Sequence, residues 1–413
     1  MLEHMSIKNL NSHTKLMQQL PAPSADALAQ SDALKALIAG EITAHGAISF
    51  ARYVELTQYA PGFGYYSAGA QKFAESAKLA GAKLQGDFVT APELGSVFAR
   101  CIAKLVAPIF SANPSAVFLE LGAGSGALAC DLLVALGLAN ALPAQYLILE
   151  RSADLKARQW TKLKALIPEY VQRVSWIDEP PTVGWNGVLF ANEVIDALAF
   201  ERFEVTRNGP MQLFVQLNEA GDFCYRTAAP LPLANAIADA AELPIGYQSE
   251  FQPQLGAWLC GLTQNLQQGL VLLIDYGYTR AEYYLPERTS GTLVCHYQHR
   301  MFDAPFVYPG LVDISCSVDF TALAEAGLSA ELELLSYASQ SQLLIAAGLN
   351  DVLAALDFEN LPQRARSSLS AEVRSLSLPG EMGERMQAMA WTRGLTSAQL
   401  HPAFSWPDWR HRL

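Results

Sequence analysis

The run Phe118-Leu119-Glu120-Leu121-Gly122-Ala123-Gly124-Ser125-Gly126-Ala127 sets three glycines between an apolar segment and a helical one. Glycines at such a turn let the backbone approach a ligand closely, and the helix start behind them presents unpaired N–H groups. Gly122, Gly124 and Ala127 fit the dinucleotide spacing G-x-G-x-x-(G/A), so the glycines do not choose between cofactors. Glu120 does more to choose. A carboxylate two residues before the first glycine would face a dinucleotide's pyrophosphate and repel it. S-adenosylmethionine instead brings an amino group and a sulfonium to that turn. Glu150 closes the next apolar run, where a carboxylate can accept both ribose hydroxyls, and Asp178 follows the third, within reach of an adenine edge. The structural alternatives are a cap or ion pair for Glu120 and solvated loop acids for Glu150 and Asp178.

A second group of polar residues, Asn192-Glu193-Val194-Ile195-Asp196, follows the fourth apolar run. Methyl transfer from a sulfonium is an in-line displacement, so a protein has mainly to align the acceptor and remove one proton. If the acceptor is a guanidinium it arrives charged, and paired carboxylates would suit it because they bind it bidentately. Glu193 and Asp196 are three residues apart and share a face if a helical turn begins there. Asn192 can hydrogen-bond the amino-acid part of the cofactor or the acceptor. The bland alternative is a helix N-cap by Asn192 with acids in the first turn. His299 and Asp313, in an aromatic-rich stretch, are candidates to position the acceptor or carry its proton. His296 and His299 have ligand-like spacing but no third ligand nearby, and no metal site is expected.

The elements that must position these residues read as an α/β pattern. Val117–Leu121, Tyr146–Glu150, Val174–Ile177 and Val188–Asn192 are short apolar runs separated by helical segments, the signature of a parallel sheet with crossover helices. Leu270–Asp275, a run near Leu332–Leu335 and Met386–Trp391 bring the expected strands to about seven. Helical spacing predicts a lead-in over residues 24–60, a helix over Ala91–Phe110, and further helices from Asp319, from Gln340 and around Ala371–Leu376. The divisions expected are a disordered or vector-derived tail (1–24) and an N-terminal helical region folding over the cofactor site (25–115). The first part of the core (116–199) follows, then an antiparallel insertion (200–268), a core strand (269–278), an aromatic-rich acceptor-side insertion (279–318) and the rest of the core (319–413).

The 413 residues are 51% hydrophobic and 16% charged, which excludes disordered, collagen-like and coiled-coil classes. A net charge of −12 argues against a general binder of phosphate backbones, which needs surplus Lys and Arg, and favours a cationic substrate. The six cysteines form no Cys-x-x-Cys pair, so neither a zinc knuckle nor a disulfide framework is signalled. Leu132–Leu149 and Phe251–Ile274 are uncharged but broken by polar residues, Gly and Pro, so no spanning helix is expected. With no secretory or Arg-rich targeting pattern near the start, a bacterial cytoplasm is the expected compartment.

Six motifs together, Pro61-Gly62-Phe63-Gly64-Tyr65-Tyr66, Gly86-Asp87-Phe88-Val89-Thr90-Ala91-Pro92-Glu93, the glycine turn, Asn192-Glu193-Val194-Ile195-Asp196-Ala197, Ile274-Asp275-Tyr276-Gly277 and Pro309-Gly310-Leu311-Val312-Asp313, resemble the MidA-like methyltransferases. These are relatives of the mitochondrial complex I assembly methyltransferase that modifies an arginine. The resemblance runs from about residue 45 to 395. It implies a class I, Rossmann-like fold with helices on both faces of a mostly parallel seven-stranded sheet, S-adenosyl-L-methionine as cofactor, and a protein arginine as acceptor, with a respiratory complex subunit as a candidate substrate. It also implies that Asp87, Thr90 and Glu93 fold over the cofactor. Two other readings remain at this level: a cofactor-binding assembly or scaffolding factor without useful turnover, and a nicotinamide-dependent oxidoreductase using the same turn.

Overall fold

The computed structural model describes residues 20–67, 90–228, 237, 242–405 and 408–413. Asp87 and residues 1–19 of the expected tail lie outside them. The core is a mostly parallel sheet of seven principal strands: β1 (Val117–Leu121), β2 (Gln145–Leu149), β3 (Val174–Ile177), β4 (Trp185–Asn192), β5 (Leu266–Tyr278), β6 (Glu333–Ser339) and β7 (Met386–Arg393). Their order across the sheet is β3-β2-β1-β4-β5-β7-β6, with β7 antiparallel to both neighbours and a two-residue strand, Val318–Asp319, added beside the end of β5. The chain starts in the middle, runs out to one edge and returns to the other side, so a crevice opens between the carboxyl ends of β1 and β4, where ligands of open α/β sheets bind.

Both faces of the sheet are covered, which is why its strands read as continuous apolar runs. Phe118, Tyr146, Val188, Phe190, Leu270 and Leu272 face a core shared with helices Val97–Ala112 and Ala127–Leu138. Leu119, Leu189, Val271, Leu273 and Trp391 face the other way, against helices Leu255–Thr263 and Phe320–Ser329.

The lead-in is two helices, Ala25–His45 and Phe50–Tyr59, separated by the strand Ile48–Ser49. That strand pairs with Gly209–Leu217, the middle of an antiparallel sheet formed by Glu201–Thr206, Gly209–Leu217, Phe223–Thr227 and Gln248–Phe251. The aromatic-rich stretch contributes a small sheet with Val294–Tyr297 between Arg300–Phe302 and Asp313–Ser315. Phe50, Tyr53, Phe200, Val215, Cys295 and Ile314 share one core, so segments separated by about 250 residues form a single cap.

The helix expected over Ala91–Phe110 is broken. Ala91–Leu94 is one short turn, and Val97–Ala112 begins after Gly95 and Ser96. The buried carboxylate of Glu372 accepts the Val97 N–H at 2.6 Å and occupies the space where a Cβ on residue 95 would sit. Any side chain there would displace that carboxylate from the Val97 N–H, and the new helix start takes its acceptor from a distant segment.

Candidate functional site

The glycine turn follows β1. Gly122, Gly124 and Gly126 have φ of 60°, 53° and 79°, a left-handed backbone that glycine adopts without strain. Glu120 is buried on the face of β1 that also carries Phe118, and it accepts the Tyr146 hydroxyl at 2.8 Å. Burial, against the opposing effect of that bond, pushes its carboxyl up to about 8. Glu150, directly after β2, is 9% exposed. It accepts the Ser152 N–H at 2.8 Å and a weak bond from Gln159 at 3.4 Å, and burial raises its pKa. Asp178, directly after β3, is exposed and pairs with Lys156 at 2.6 Å. A surface pair of this kind is weak and can be exchanged for a ligand.

Glu93 lies in the short turn Ala91–Leu94, is itself buried, and accepts the hydroxyl of Ser125 in the glycine turn. Lys162 donates to the same Ser125 oxygen at 2.6 Å. Thr90 is the half-buried residue leading into that short turn. The upstream segment therefore touches the glycine turn directly.

On the other side of the crevice four carboxylates converge. Asp275 is fully buried near the end of β5, and its Oδ2 accepts three consecutive backbone N–H groups, from Val194, Ile195 and Asp196, while Oδ1 accepts that of Tyr276. The helical turn expected at Glu193–Asp196 does not form. Glu193 has φ of 55° and the chain curls around the Asp275 carboxylate, which takes the N–H groups that a helix would direct along its axis. The two acids are brought together by that curl instead of by helical spacing. Asn192 donates to Glu193 at 2.9 Å, and the Ala91 N–H donates to the same carboxylate. Burial first and then the charge of Asp275 push Glu193 up to about 8. Asp196 is raised well above the carboxylate range by burial and then by Asp275, Asp313 and Glu193.

Asp313 is buried and enters from the aromatic-rich insertion, where the Tyr66 hydroxyl donates to it at 2.9 Å. Tyr66 stacks on Tyr59 at 5.5 Å between centroids, and the Tyr59 hydroxyl donates to the Ala197 carbonyl at 2.9 Å. The Cys316 N–H donates to the Asp196 carbonyl at 3.2 Å, which ties the insertion to the turn. The structure thus brings Glu193, Asp196 and Asp313 together. His299 is a correction: it is exposed at the tip of the hairpin joining Val294–Tyr297 to Arg300–Phe302, and the register partner of Asp313 is His296. Hairpin geometry turns residue 299 out past the last pair of the ladder.

Spacing along the chain does not mark Asp275, Tyr59, Tyr66 or Gln159 as site residues. Asp275, Tyr59 and Tyr66 act through partners 79 or more residues away, and only the motifs containing Tyr66 and Asp275 pointed toward them.

The residues around the crevice fit a nucleoside carrying a cationic amino-acid tail. Glu150 is a buried acid directly after β2, where it could accept ribose hydroxyls, the turn is open-backboned glycine, and the buried Asn192 Oδ1 has no hydrogen-bond partner, a need that only a donor can meet. Among the described residues no group of three or more His, Cys, Asp or Glu side chains is arranged to hold a metal ion, and no helix is long and apolar enough to cross a membrane.

Residues 101–338 match the family described as S-adenosyl-L-methionine-dependent methyltransferases. The chain is 38% identical to a Burkholderia thailandensis protein of the COG1565 superfamily solved with S-adenosyl-homocysteine bound, over 95% of this chain and 100% of that one, with a TM-score of 0.89. It is also 26% identical to the mitochondrial protein arginine methyltransferase NDUFAF7 homolog of Caenorhabditis elegans over 78% of each chain. Against the Danio rerio protein arginine methyltransferase NDUFAF7 it is 25% identical, over 85% of this chain and 84% of the relative.

Proposed function

The chain belongs to the MidA-like family of S-adenosyl-L-methionine-dependent methyltransferases, and on that premise we propose that it methylates an arginine side chain of a protein. The observation that carries the arginine acceptor is the meeting of Glu193, Asp196 and Asp313 at the carboxyl edge of the sheet, with Asp275 behind them. Glu193 and Asp196, both held above the ordinary carboxylate range by burial and then by neighbouring acids, repel each other and Asp313, and a permanently charged guanidinium relieves that repulsion while its planar fork fills two carboxylates. The two protein arginine methyltransferases among the relatives point the same way. The proposal extends to a bacterial cytoplasm as setting and a respiratory complex subunit as the first substrate to seek.

When bound, S-adenosylmethionine supplies an electrophilic methyl group. Glu150 would hold its ribose, the glycine turn would run beside the ribose and the sulfonium, and Asn192 and the Glu93 segment would hold its amino-acid end. Glu193 and Asp196 would hold the guanidinium through its N–H edges, and a carboxylate oxygen of Glu193 would take the proton the nitrogen gives up as its bond to the methyl carbon forms and the methyl–sulfur bond breaks, with S-adenosylhomocysteine as the leaving group. Without acceptor that carboxyl is pushed up to about 8, so it must lose its own proton before it can take the acceptor's. Tyr66 keeps Asp313 turned toward the acceptor, because burial and then Asp313 hold its hydroxyl protonated.

The test is transfer of labelled methyl from S-adenosylmethionine to an extract of a strain lacking this gene, followed by mass spectrometry of the labelled protein. Methylarginine is the expected product. Tight cofactor binding with no label in any protein would replace the enzyme reading by a scaffolding one.

A further inference from the structure

Gln159 lies in the helix Ala153–Leu166, is fully buried, and uses its whole amide. Its Nε2 donates to the Gly124 carbonyl at 2.9 Å and to Glu150 Oε2 at 3.4 Å. Its Oε1 accepts the indole N–H of Trp176, on β3, at 2.6 Å. One side chain therefore joins the glycine turn after β1, the acid after β2 and an aromatic ring on β3, the three strand ends that border the nucleoside side of the crevice. Lys162, three residues further along the helix and so on the same face, reaches Ser125 at 2.6 Å, and the helix grips two consecutive residues of the turn.

The direction of the amide matters. An indole N–H can only donate and a carbonyl or carboxylate can only accept. Trp176 therefore takes Oε1, which leaves the NH2 group for Gly124 and Glu150. Reversed, Oε1 would meet two other acceptors and the NH2 group would meet a donor. The remaining Glu150 oxygen, Oε1, accepts the Ser152 N–H at 2.8 Å, so the carboxylate is held at both ends.

We propose that Gln159 is a positioning residue for the cofactor, setting the distance between the glycine turn and the Glu150 carboxylate, with Trp176 selecting its amide orientation. The role rests on the placement proposed above, in which the nucleoside end spans the turn and Glu150. A glutamine mid-helix has no motif to mark it, and nothing in its neighbourhood along the chain distinguishes it from a solvated residue.

The experiment is calorimetric titration of the full chain with S-adenosylhomocysteine, comparing wild type, Gln159→Leu, Gln159→Glu, Trp176→Phe and Glu150→Ala. Gln159→Leu is expected to weaken binding about 10- to 100-fold, the usual consequence of stranding buried acceptors. Trp176→Phe should weaken it by a smaller factor, several-fold, because the amide is then free to turn. Gln159→Glu carries the diagnostic signature. At about pH 8 its carboxylate opposes Glu150 and the Gly124 carbonyl, and binding should fall at least as far as in Gln159→Leu. Near pH 5.5 a protonated carboxyl offers the acceptor that Trp176 needs and one of the amide's two donors, and binding should return to within a few-fold of wild type at the same pH. A merely structural residue would not give back affinity on acidification. If Glu150→Ala weakens binding tenfold or more while Gln159→Glu shows no recovery at low pH, the positioning role is wrong and the cofactor placement stands. If Glu150→Ala binds as wild type does, the placement itself is wrong and Gln159 falls with it. Should Gln159→Leu fail to fold, the two pH values for Gln159→Glu decide alone.

Discussion

The Asp275 carboxylate accepts the backbone N–H of Ile195 at 2.8 Å, and through the same oxygen those of Val194 and Asp196 at 3.1 and 3.3 Å. A side chain on the central strand β5 thereby shapes the turn that ends its neighbour β4, and the acids carried by that turn point where they do because Asp275 is beneath them. The same arrangement places a fully buried acid beside Glu193 and Asp196, and raises the pKa of both.

Replacing Asp275 by Asn removes one like charge and sets an NH2 group against backbone donors. Stranding such groups costs about 1–3 kcal/mol, so the melting temperature should fall. The rising limb of the pH–rate profile should also move to lower pH, because Glu193 loses the neighbour that holds it up. A melting curve and pH profile identical to wild type would show that Asp275 does not organise the turn.

Glu193 must be ionised to receive a proton, and its pKa is about 8. Methyl transfer under kcat/KM conditions should therefore rise from pH 6 toward pH 9, with its limb near 8, and Glu193→Gln should flatten that limb. Acceptor binding should release protons, because a cation pulls the raised carboxyls down. Titration of an arginine peptide in buffers of different ionisation heat measures this directly.

Glu193→Gln combined with Asp196→Asn keeps shape and removes charge. S-adenosylmethionine affinity should stay within a few-fold of wild type while methyl transfer drops by about 10²–10⁴. More than about a tenth of wild-type turnover in the double variant would contradict the arginine acceptor.

Glu120 and Glu193 both have folded-state values of about 8 against an ordinary 4.5. An acid with a raised folded pKa keeps its proton in the folded protein after the unfolded chain has lost it. Its contribution to stability is thus fully present below about 4.5 and is lost as pH rises through 8. The melting temperature of the ligand-free protein should fall between pH 5 and 9. Glu120→Gln retains an acceptor for Tyr146 and removes one titration, so its melting temperature should depend less steeply on pH.

Gly124 has φ of 53°, and its carbonyl is bound by Gln159. Gly124→Val places a β-branched side chain where such a backbone is strained and where the cofactor must approach. S-adenosylhomocysteine binding should be lost to a greater extent than thermal stability, as read by titration alongside a melting curve.

Much of the core is legible along the chain because its signals are local. Apolar runs of four to six residues alternating with helical spacing mark β1 to β4, and the glycine turn announces itself because three left-handed residues in five positions need glycine. The acids at the strand ends are visible for the same reason: strand and turn are contiguous. Helix and strand ends are less so, since Glu372, 275 residues beyond Val97, is what accepts the first N–H of the helix that restarts inside the segment expected over Ala91–Phe110. The meeting of Tyr66 with Asp313 across 247 residues, of Asp275 with Ile195 across 80 and of Gln159 with Gly124 across 35 leaves no periodicity to read. Residue order alone thus specifies which elements form and which chemistry the turn can support. Which acids share a site, and what pKa values they take, depends on burial and on like charges brought together by packing, and those exist only once the sheet and its cap have closed around them.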